Sequence, residues 1–411
     1  MSALHPFRLL YLANARLPTE KAHGGQIMQM CEAFAGAGVD LTLWHPRRVN
    51  TPELSGLDPF DHYGVARNFA LRSLPCVDLF PLAARLGHQT LANRLAFFTQ
   101  AATYTLAALW NLRGARVDVI YSRDALTALA LSATALARKT FYEAHRFPGS
   151  AIGRRLMGGA LPRLGGVVTV TRRLAEEYAA LGVPPARIHT AHDAVRRARF
   201  ANAPSKGEAR RALGLPKDAF IVGYVGRFHT MNMPKGLDTL VEAAALSDDV
   251  TVCLIGGPAE AVEALRARDL LSESRLRYLG QVPLADVPRC LAALDVCAMP
   301  LPLTPHFAHY ASPLKLFEYM ASGRPIVASD LPSTREVVAH EESALLVPPG
   351  DPAALAAALR RLRDDPGLGE RLAARARALV EARHTWEMRA NGIIDFMQQK
   401  LTAAAQKSQR T

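Results

Sequence analysis

A lysine and a glutamate, Lys315 and Glu318, stand three residues apart near the start of a predicted helix. A lysine in the first turn of a helix opposes the helix dipole, so local stability does not explain its presence. A helix N-terminus with an added cation is a favourable seat for phosphate. A carboxylate one turn further along can accept hydrogen bonds from the hydroxyls of a ribose. The alternative is an ordinary Lys–Glu pair on a helix surface, and this helix alone does not decide between the two.

The limits of this helix are marked in the sequence. Ser312 is a typical N-cap residue, and Pro313 suits the first helical position. Leu314 and Phe317 fall on one apolar face at helical spacing. Gly323 ends the helix, because glycine tolerates the positive φ of a helix C-terminus.

Two more cations stand at comparable positions in the same half of the chain. Arg227 directly follows an apolar strand, and Lys235 lies in Pro234-Lys-Gly236 at the start of the next predicted helix. With Lys315 they could surround a diphosphate, since arginine offers forked donors and lysine a mobile point charge. Each cation by itself is more often a solvated surface residue. Their shared placement at strand ends and helix starts favours an anion site.

The first half of the chain offers a second group of candidates. His23-Gly-Gly25 precedes a predicted helix, and Gly24 and Gly25 would permit close approach of a ligand to the backbone. His145 follows a predicted strand in Glu143-Ala-His145. The alternative for His145 is a capping or core histidine.

Apolar runs alternate with helical patterns in both halves of the chain. This alternation predicts parallel sheets covered on both faces, in two doubly wound α/β domains with ligands at the carboxyl ends of the strands. A polar segment at 201–208 is interpreted as the linker between the two domains. Residues 50–90 are predicted to have irregular structure. The predicted strands are Phe7–Ala13, Val39–Trp44, Val117–Tyr121, Thr140–Glu143, Gly166–Val170 and Ile188–Thr190, then Ala219–Val225, Val250–Ile255, Leu276–Leu279, Val296–Met299 and Ile326–Ala328.

Composition limits the class of protein. A chain of 411 residues is too long for one core, so two domains are expected. The net charge is +12, but the arginines are dispersed, which argues against nucleic-acid binding. The excess of positive charge fits anionic small substrates or an anionic membrane surface. Five cysteines without metal-ligand spacing predict buried thiols in a reducing cytosol.

The region from Val77 to Arg113 is apolar and bounded by basic residues. Within it, Leu95–Leu112 is the longest apolar stretch, and it lies between Arg94 and Arg113. Because the stretch contains glutamine, threonine and asparagine, a buried or membrane-surface helix is favoured over a membrane span. A cytosolic protein with a buried helical insert and a protein that binds the membrane surface both remain open.

Taken in order, these motifs resemble a known family. The chain is similar over nearly its full length to retaining glycosyltransferases of family 4, the glycosyl transferases group 1. Each motif is weak alone, but their order and spacing are specific for the family, though not for one substrate. The motifs are Ala22-His-Gly-Gly25, Phe141-Tyr-Glu-Ala-His145, Gly223-Tyr-Val-Gly-Arg227, Pro234-Lys-Gly236, Leu276-Arg-Tyr-Leu-Gly280, Ser312-Pro-Leu-Lys-Leu-Phe-Glu-Tyr-Met-Ala321, Gly323-Arg-Pro-Ile-Val327 and His384-Thr-Trp386.

The resemblance implies the GT-B fold, in which two Rossmann-like domains face a cleft and a final helix crosses back to the N-terminal domain. The expected limits are 1–198 for the N-terminal domain, 199–383 for the nucleotide-sugar-binding domain, and 384–411 for the returning helix and tail. It also implies a bacterial, cytoplasmic enzyme of polysaccharide biosynthesis, and peripheral contact with the inner face of the cell membrane stays open. The partners would be a nucleotide sugar and a glycan, lipid-linked or small-molecule acceptor.

The resemblance also implies roles for single residues. Arg227 and Lys235 would bind the donor diphosphate and stabilise the departing nucleotide, Glu318 would hold the ribose, and His145 would contact the donor sugar. Gly24 and Gly25 would approach the donor phosphates. Further donor contacts are expected from Val282, in the turn near the base, and from Tyr310, Ser312, Pro313, Leu314 and Lys315.

One position departs from the family pattern. Members usually carry a glutamate eight residues before the one that matches Glu318, and here that residue is Tyr310. A phenol can form hydrogen bonds but lacks a carboxylate's charge. The departure leaves the donor sugar open, and it favours as an alternative a non-catalytic relative that binds a nucleotide sugar.

The expected chemistry is electrostatic and retaining. Cleavage of the anomeric C–O bond leaves charge on the diphosphate, where fixed cations would stabilise it. These cations would replace a metal ion, so neither a metal nor another cofactor is expected. A nucleotide-sugar epimerase is a less favoured alternative, since no pair of acid and base carboxylates is evident. A nicotinamide dehydrogenase should show Gly-x-Gly-x-x-Gly after a strand, and neither Gly24-Gly25 nor Gly256-Gly257 completes that pattern.

Overall fold

The chain folds into two compact units. The computed structural model describes residues 7–85 and 90–408. One unit comprises Met1–His192 with Trp386–Thr411, and the other comprises Asp193–Thr385. The segment 201–208, interpreted above as a linker, lies inside the second unit. There Ser205 and Glu208 form a reciprocal capping box, so the polar residues start a helix.

The first unit is built on a seven-stranded parallel sheet in the order β3-β2-β1-β4-β5-β6-β7. Six of these strands lie where the sequence predicts them. The exception is β3, inside the region predicted to be irregular. As a half-exposed edge strand it needs no continuous apolar run. The strands are β1 (Arg8–Leu12), β2 (Asp40–Pro46), β3 (Ala70–Leu74), β4 (Val119–Ser122), β5 (Thr140–Ala144), β6 (Gly166–Thr169) and β7 (Ile188–Thr190).

Helices connect these strands, as parallel pairing requires. In the described part of region 50–90, which the sequence predicts to be irregular, the chain also forms the short helices Pro59–Tyr63 and Phe80–Arg85. The helices of this part of the chain are α1 (Ala22–Gly36), α2 (Pro59–Tyr63), α3 (Phe80–Arg85), α4 (Thr90–Leu112), α5 (Ala125–Leu131), α6 (Ala151–Ala160) and α7 (Arg172–Ala180).

The second unit contains a six-stranded parallel sheet in the order β12-β11-β8-β13-β14-β15, and a separate hairpin of β9 and β10. In both sheets the strand order reverses beside the first strand. Ligands of doubly wound sheets bind at the carboxyl ends of the strands at this reversal. The strands are β8 (Phe220–Arg227), β9 (His229–Thr230), β10 (Met233–Pro234), β11 (Val250–Gly257), β12 (Leu276–Tyr278), β13 (Val296–Met299), β14 (Ile326–Ser329) and β15 (Leu345–Val347).

Helices cover both faces of this second sheet. Residues of β8 alternate between two buried clusters: Val225 packs in one with Phe317, and Tyr224 packs in the other with Leu240. The prediction of doubly wound α/β units is therefore confirmed. The helices are α8 (Lys206–Ala212), α9 (Leu237–Ala245), α10 (Ala259–Arg266), α11 (Val287–Ala292), α12 (Leu314–Ser322), α13 (Pro332–Arg335), α14 (Pro352–Asp364) and α15 (Pro366–Arg383).

The last helix, α16 (Trp386–Ser408), belongs to the first unit. Phe396 stacks on His189 at a ring separation of 5.2 Å. A Cβ atom at Gly166 would lie 2.6 Å from the Phe396 ring, so glycine in β6 lets α16 pack closely. The expected return of the final helix to the N-terminal part of the chain is confirmed. Among the helices within 7–85 and 90–408, none combines the length and apolar character needed to cross a bilayer.

Candidate active site

Two glycines place Arg227 and Lys235 at the carboxyl end of β8. Gly226 adopts φ of +126°, and Arg227 follows it as the exposed last residue of the strand. Lys235 precedes α9, whose N-cap is Gly236 with φ of +75°. A Cβ atom at Gly236 would lie 1.8 Å from the carbonyl oxygen of Pro300, so only glycine fits there. The helix therefore begins at Leu237, two residues after the start that the sequence predicts at Lys235.

The loop between Arg227 and Lys235 is closed by the β9–β10 hairpin. Met231 and Asn232 form its tip, with φ of 50° and 61°. Two adjacent residues with positive φ are typical of the tight turns that match strand twist. The Lys235 N–H donates to the Phe228 carbonyl at 3.1 Å, which fixes the lysine backbone close to the end of β8.

The start of α12 differs from the prediction. Pro313 occupies the N-cap position, and Leu314 is the first helical residue. The Ser312 hydroxyl instead accepts a hydrogen bond from the Asp193 N–H at 2.9 Å. The N-cap prediction for Ser312 was therefore wrong, because extended backbone at Pro313 delays the helix by one residue. The C-terminal prediction is confirmed, since Gly323 adopts φ of 68°.

Lys315 is buried, with 8% of its surface exposed. Its Nζ contacts the Tyr224 hydroxyl and lies 3.4 Å from the centroid of the Tyr224 ring. Burial, reinforced by the charge of Lys235, holds the Lys315 pKa well below its ordinary value. A buried lysine on a tyrosine ring is not half of a surface Lys–Glu pair, so that alternative was wrong.

Lys235 and Arg227 extend the positive charge from Lys315. Burial, with a smaller effect of Arg227, lowers the Lys235 pKa to about 8. The charge of Arg227 thus disfavours the charged form of Lys235, and the charge of Lys235 in turn disfavours that of Lys315. An anion bound among them would reverse this effect, because a nearby opposite charge favours the protonated lysine.

Glu318 lies one turn after Lys315 and is half-buried. Burial raises its pKa, while Arg199 and Lys315 act in the opposite direction. The Arg199 Nη1 lies 3.9 Å from the Glu318 Oε1. Sequence reasoning missed Arg199, because it is one of several arginines in a polar stretch and belongs to a short turn, Arg197–Phe200.

The remaining donor candidates of the second unit lie on loops. Tyr310 ends a single π-helical turn, His306–Tyr310, and is half-buried. Val282 is half-buried against the core, close after Gly280, which has φ of 71°. Their contacts with a donor stay a prediction.

In the first unit, Gly24 and Gly25 lie in the first turn of α1. A Cβ atom at Gly24 would lie 2.1 Å from the Tyr63 hydroxyl, whereas one at Gly25 would make ordinary contacts. The Tyr63 hydroxyl accepts from the Thr19 N–H at 2.7 Å and donates to the Thr19 carbonyl at 3.0 Å. Gly24 therefore has a packing reason to be glycine, whatever its role toward phosphate.

His145 lies beside a buried carboxylate. Its Nε2 is 3.2 Å from the Oε1 of Glu143, the penultimate residue of β5. Tyr11 donates to the other Glu143 oxygen at 3.0 Å, and the Arg389 Nη2 lies 2.5 Å from Oε1. Although burial opposes ionisation, Arg389 and His145 hold the Glu143 pKa well below its ordinary value. Sequence reasoning missed Arg389, because an arginine in a largely polar helix such as α16 is expected to lie on the surface.

His23 lies in the same unit at the start of α1. Burial is the main reason that its pKa falls to about 4, with additional effects of Arg123, Lys21 and His145. His23 is therefore uncharged at neutral pH. Arg123 follows β4 and donates to the Gln26 side chain at 2.9 Å.

The structure thus brings four predicted residues together in the second unit: Arg227, Lys235, Lys315 and Glu318. His145, Gly24 and Gly25 belong to the first unit, where His145 and the start of α1 are neighbours. Within the described ranges, no group of three or more histidine, cysteine, aspartate or glutamate side chains has the arrangement of a metal site.

Sequence comparison finds a family model that matches most of the second unit. Residues 219–365 match the model described as Glycosyl transferases group 1. Over these residues, the second unit is similar to the glycosyl transferases group 1 family. The match covers β8, Arg227, Lys235 and all of α12, the segments that carry the cations and Glu318.

Curated relatives match only part of the chain. A D-inositol 3-phosphate glycosyltransferase of Thermomonospora curvata is 35% identical over 185 residues, covering 41% of this chain and 40% of that protein. A 2-deoxystreptamine glucosyltransferase of Streptomyces kanamyceticus is 32% identical over 213 residues, covering 50% of this chain and 53% of that protein. The chain thus spans about half the length of these relatives.

Solved structures match nearly the whole chain. Sucrose-phosphate synthase from Thermosynechococcus elongatus gives a TM-score of 0.72 at 21% identity, over 96% of this chain and 100% of that one. HepE of Anabaena, solved with UDP and glucose, gives a TM-score of 0.71 at 18% identity, and the match covers 96% of this chain and 100% of that one. At these identities the comparison shows the fold alone, which is the GT-B arrangement of two Rossmann-like units and a C-terminal helix.

Proposed function

We propose that this protein is a retaining glycosyltransferase that moves a sugar from a nucleotide diphosphate sugar to an acceptor. The observation that carries the proposal is the cluster of Arg227, Lys235 and Lys315 at the end of β8 and the start of α12, with Glu318 one turn away. Two of these cations lie in a partly buried setting where their charge is disfavoured without an anion.

The cluster suits a diphosphate leaving group. As the anomeric C–O bond breaks, negative charge grows on the diphosphate, and cations already in place stabilise that charge without reorganisation. Glu318 would accept hydrogen bonds from the ribose, since it lies one turn after Lys315 in α12. In this proposal the protein cations do the work of a metal ion, and no other cofactor takes part.

The acceptor is proposed only as a class: a glycan, a lipid-linked or a small-molecule hydroxyl compound. The names of the relatives include inositol phosphate and 2-deoxystreptamine glycosyltransferases, and a lipopolysaccharide core enzyme of Rhizobium meliloti. Family membership therefore leaves the acceptor open. Cytoplasmic location and contact with the inner face of the membrane are proposals compatible with a lipid-linked acceptor, which lies at that surface.

The test is transfer itself. Purified protein would be screened by thermal shift against nucleotide sugars, because a ligand of the folded state raises its apparent stability. The donor that binds would then be incubated with acceptors, and NMR would give the anomeric configuration of the product. Retention at the anomeric carbon supports the proposal, inversion contradicts the retaining mechanism, and activity lost with a chelator and restored by a divalent metal contradicts metal independence.

A non-catalytic nucleotide-sugar-binding protein is the second candidate, and Tyr310 is the observation that favours it. Slow donor hydrolysis without acceptor separates the two, because a transferase activates water to a small extent. Nucleotide binding without hydrolysis or transfer, and no gain in either from Tyr310→Glu, would support the binding protein.

Replacing Glu318 with glutamine is expected to weaken nucleotide binding about 10- to 100-fold, since hydrogen bonds to a charged group contribute about 1.5–3 kcal/mol. Isothermal titration with the nucleoside diphosphate measures this loss. Glu260→Gln, at an exposed position of α10, is the matched control and should leave the affinity unchanged. Equal affinities of wild type and Glu318→Gln would exclude Glu318 from the nucleotide site.

Pyrophosphate binding is expected to weaken as the pH rises from 7 to 9. Only the protonated lysine attracts the anion, and Lys235 loses its proton near pH 8 rather than above 10. Because the anion favours the protonated form, binding should also take up protons, measured by titration in buffers of different ionisation heat. Lys235→Arg keeps its charge throughout this range, so its affinity should change less. An identical pH profile for the variant would contradict the assignment of Lys235.

A further inference from the structure

Helix α4 is apolar on two opposite sides, but the protein covers only one of them. Ala96, Ala101, Tyr104 and Ala108 are buried in the first unit. A helix that is hydrophobic all round normally lies within a core or a membrane, yet α4 turns its other face outward. Five large side chains of that face are each between 58% and 69% exposed: Leu91, Leu95, Phe98, Leu106 and Trp110.

These five residues form one continuous stripe. Their spacing of four, three, eight and four residues places them along one side of the helix, and exposed Ala102 fills the gap between Phe98 and Leu106. Single exposed apolar residues are common on protein surfaces. A contiguous row of them indicates a surface that binds a membrane or another protein. We name residues 91, 95, 98, 102, 106 and 110 the outer face of α4.

The charged residues of the chain segment that carries the outer face are all positive. Between Asp78 and Asp118 the sequence contains four arginines and no acidic residue. Of these, Arg94, Arg113 and Arg116 are exposed. The Arg113 guanidinium lies 4.6 Å from the centroid of the Trp110 ring. Tryptophan beside arginine at the end of an apolar stripe suits the boundary between lipid tails and anionic head groups, where one side of each residue is wet.

We propose that the outer face of α4 is a docking surface for an anionic lipid bilayer. The helix lies in the plane of the membrane, with its apolar stripe among the acyl chains and its arginines at lipid phosphates. This geometry is that of an interfacial helix, whose binding depends on both buried apolar area and attraction to anionic lipid. It deepens the proposed membrane contact and rests on that part of the proposed function, but it can fail independently of sugar transfer, because lipid binding does not depend on the reaction proposed for the second unit.

A second copy of the chain is the competing occupant of an apolar face, and charge argues against it. Pairing two outer faces would bring the arginines of both copies around one interface without an acidic residue from the same segment to neutralise them. An anionic bilayer supplies the neutralising charge. The same feature predicts that binding requires anionic lipid and weakens with salt.

Vesicle flotation of the full chain tests the proposal. We expect binding to phosphatidylglycerol-containing vesicles, little binding to pure phosphatidylcholine, and weaker binding at high salt. Leu95→Gln/Phe98→Gln should lower the partition coefficient at least tenfold. Leu57→Gln/Leu246→Gln, which changes one exposed leucine in each unit, is the matched control and should bind as wild type does. Circular dichroism confirms that both variants fold.

Tryptophan fluorescence provides a residue-level readout. The chain has three tryptophans, of which Trp44 and Trp386 are buried and Trp110 is 69% exposed. Anionic vesicles should therefore shift the emission to shorter wavelength, and Trp110→Phe should remove the shift. Wild-type binding by Leu95→Gln/Phe98→Gln overturns the proposal. A second result would also overturn it: the wild-type protein does not bind vesicles but forms a dimer in size-exclusion chromatography with light scattering, and Leu95→Gln/Phe98→Gln abolishes that dimer.

Discussion

Replacing Arg227 with alanine is expected to lower kcat about a hundred- to a thousandfold, the typical effect of losing one preorganised donor to a developing charge. Arg227 is the exposed last residue of β8, at the strand beside which the sheet order reverses. Its charge acts on Lys235, which places it at the edge of the cation cluster. KM should change less than kcat, because the charge of the leaving diphosphate grows as the bond breaks. Steady-state kinetics with the donor identified by thermal shift measure both constants.

Two further variants make this prediction specific. Arg360→Ala removes an exposed arginine of α14 and should retain full activity. Arg227→Lys keeps the charge but loses the forked geometry, so its kcat should lie between those of wild type and alanine. A wild-type kcat for Arg227→Ala would show that the phosphate site has been assigned to the wrong residues, even if the protein transfers sugar.

Replacing Arg389 with alanine is expected to destabilise the first unit by about 3–5 kcal/mol, the usual cost of removing one partner of a buried ion pair. Arg389 and Glu143 are both almost completely buried, and their side chains are 2.5 Å apart. The variant leaves the buried carboxylate of Glu143 without its arginine partner, although Tyr11 and His145 stay beside it. At roughly 2–4 °C per kcal/mol for a unit of this size, the apparent Tm should fall by roughly 6–20 °C.

Arg389→Met with Glu143→Gln tests whether charge is the cause. Removing both charges should recover much of the lost stability, since a buried ion pair can often be replaced at little cost. Arg173→Ala, which breaks a surface ion pair with Glu177 in α7, should leave the apparent Tm almost unchanged. Equal Tm values for Arg389→Ala and Arg173→Ala would contradict the argument.

The pH dependence of this pair has a defined sign. The folded-state pKa of Glu143 is lowered, so its contribution to stability is complete above the pKa of the unfolded chain. That contribution is lost as the pH falls through the lower, folded-state pKa. Wild type should therefore lose more stability than the doubly neutral variant when the pH falls from 5 to 3. Denaturant unfolding at each pH measures the difference.

Much of the architecture could be predicted because local and tertiary preferences agree. Buried parallel strands such as β8 and β13 must be apolar on both faces, so they appear as short unbroken apolar runs. Gly323 and Gly236 mark helix limits because their positive φ excludes most other residues. The half-exposed edge strand β3 lacks such a run, which is why the sequence predicted an irregular region there.

The positions of the cations in the chain could also be predicted from the sequence, but the surroundings of their side chains could not. Lys315 could be placed in the first turn of a helix from spacing alone. That it is buried on Tyr224, beside Lys235, depends on which helix packs on which strand. Tyr224 reads as an ordinary core residue of a strand, and Arg199 as one arginine among several, since neither motif nor periodicity specifies a partner distant in sequence.

The sequence by itself determined the doubly wound units, the family resemblance, and the placement of Arg227, Lys235, Lys315 and Glu318 at strand ends and helix starts. These follow from local rules of periodicity, glycine conformation and motif order. Only the tertiary structure decided which charges are buried, which carboxylate meets Arg389, and which side of α4 is left uncovered. Burial and electrostatic coupling depend on distances between segments far apart in the chain, and those distances are set by packing.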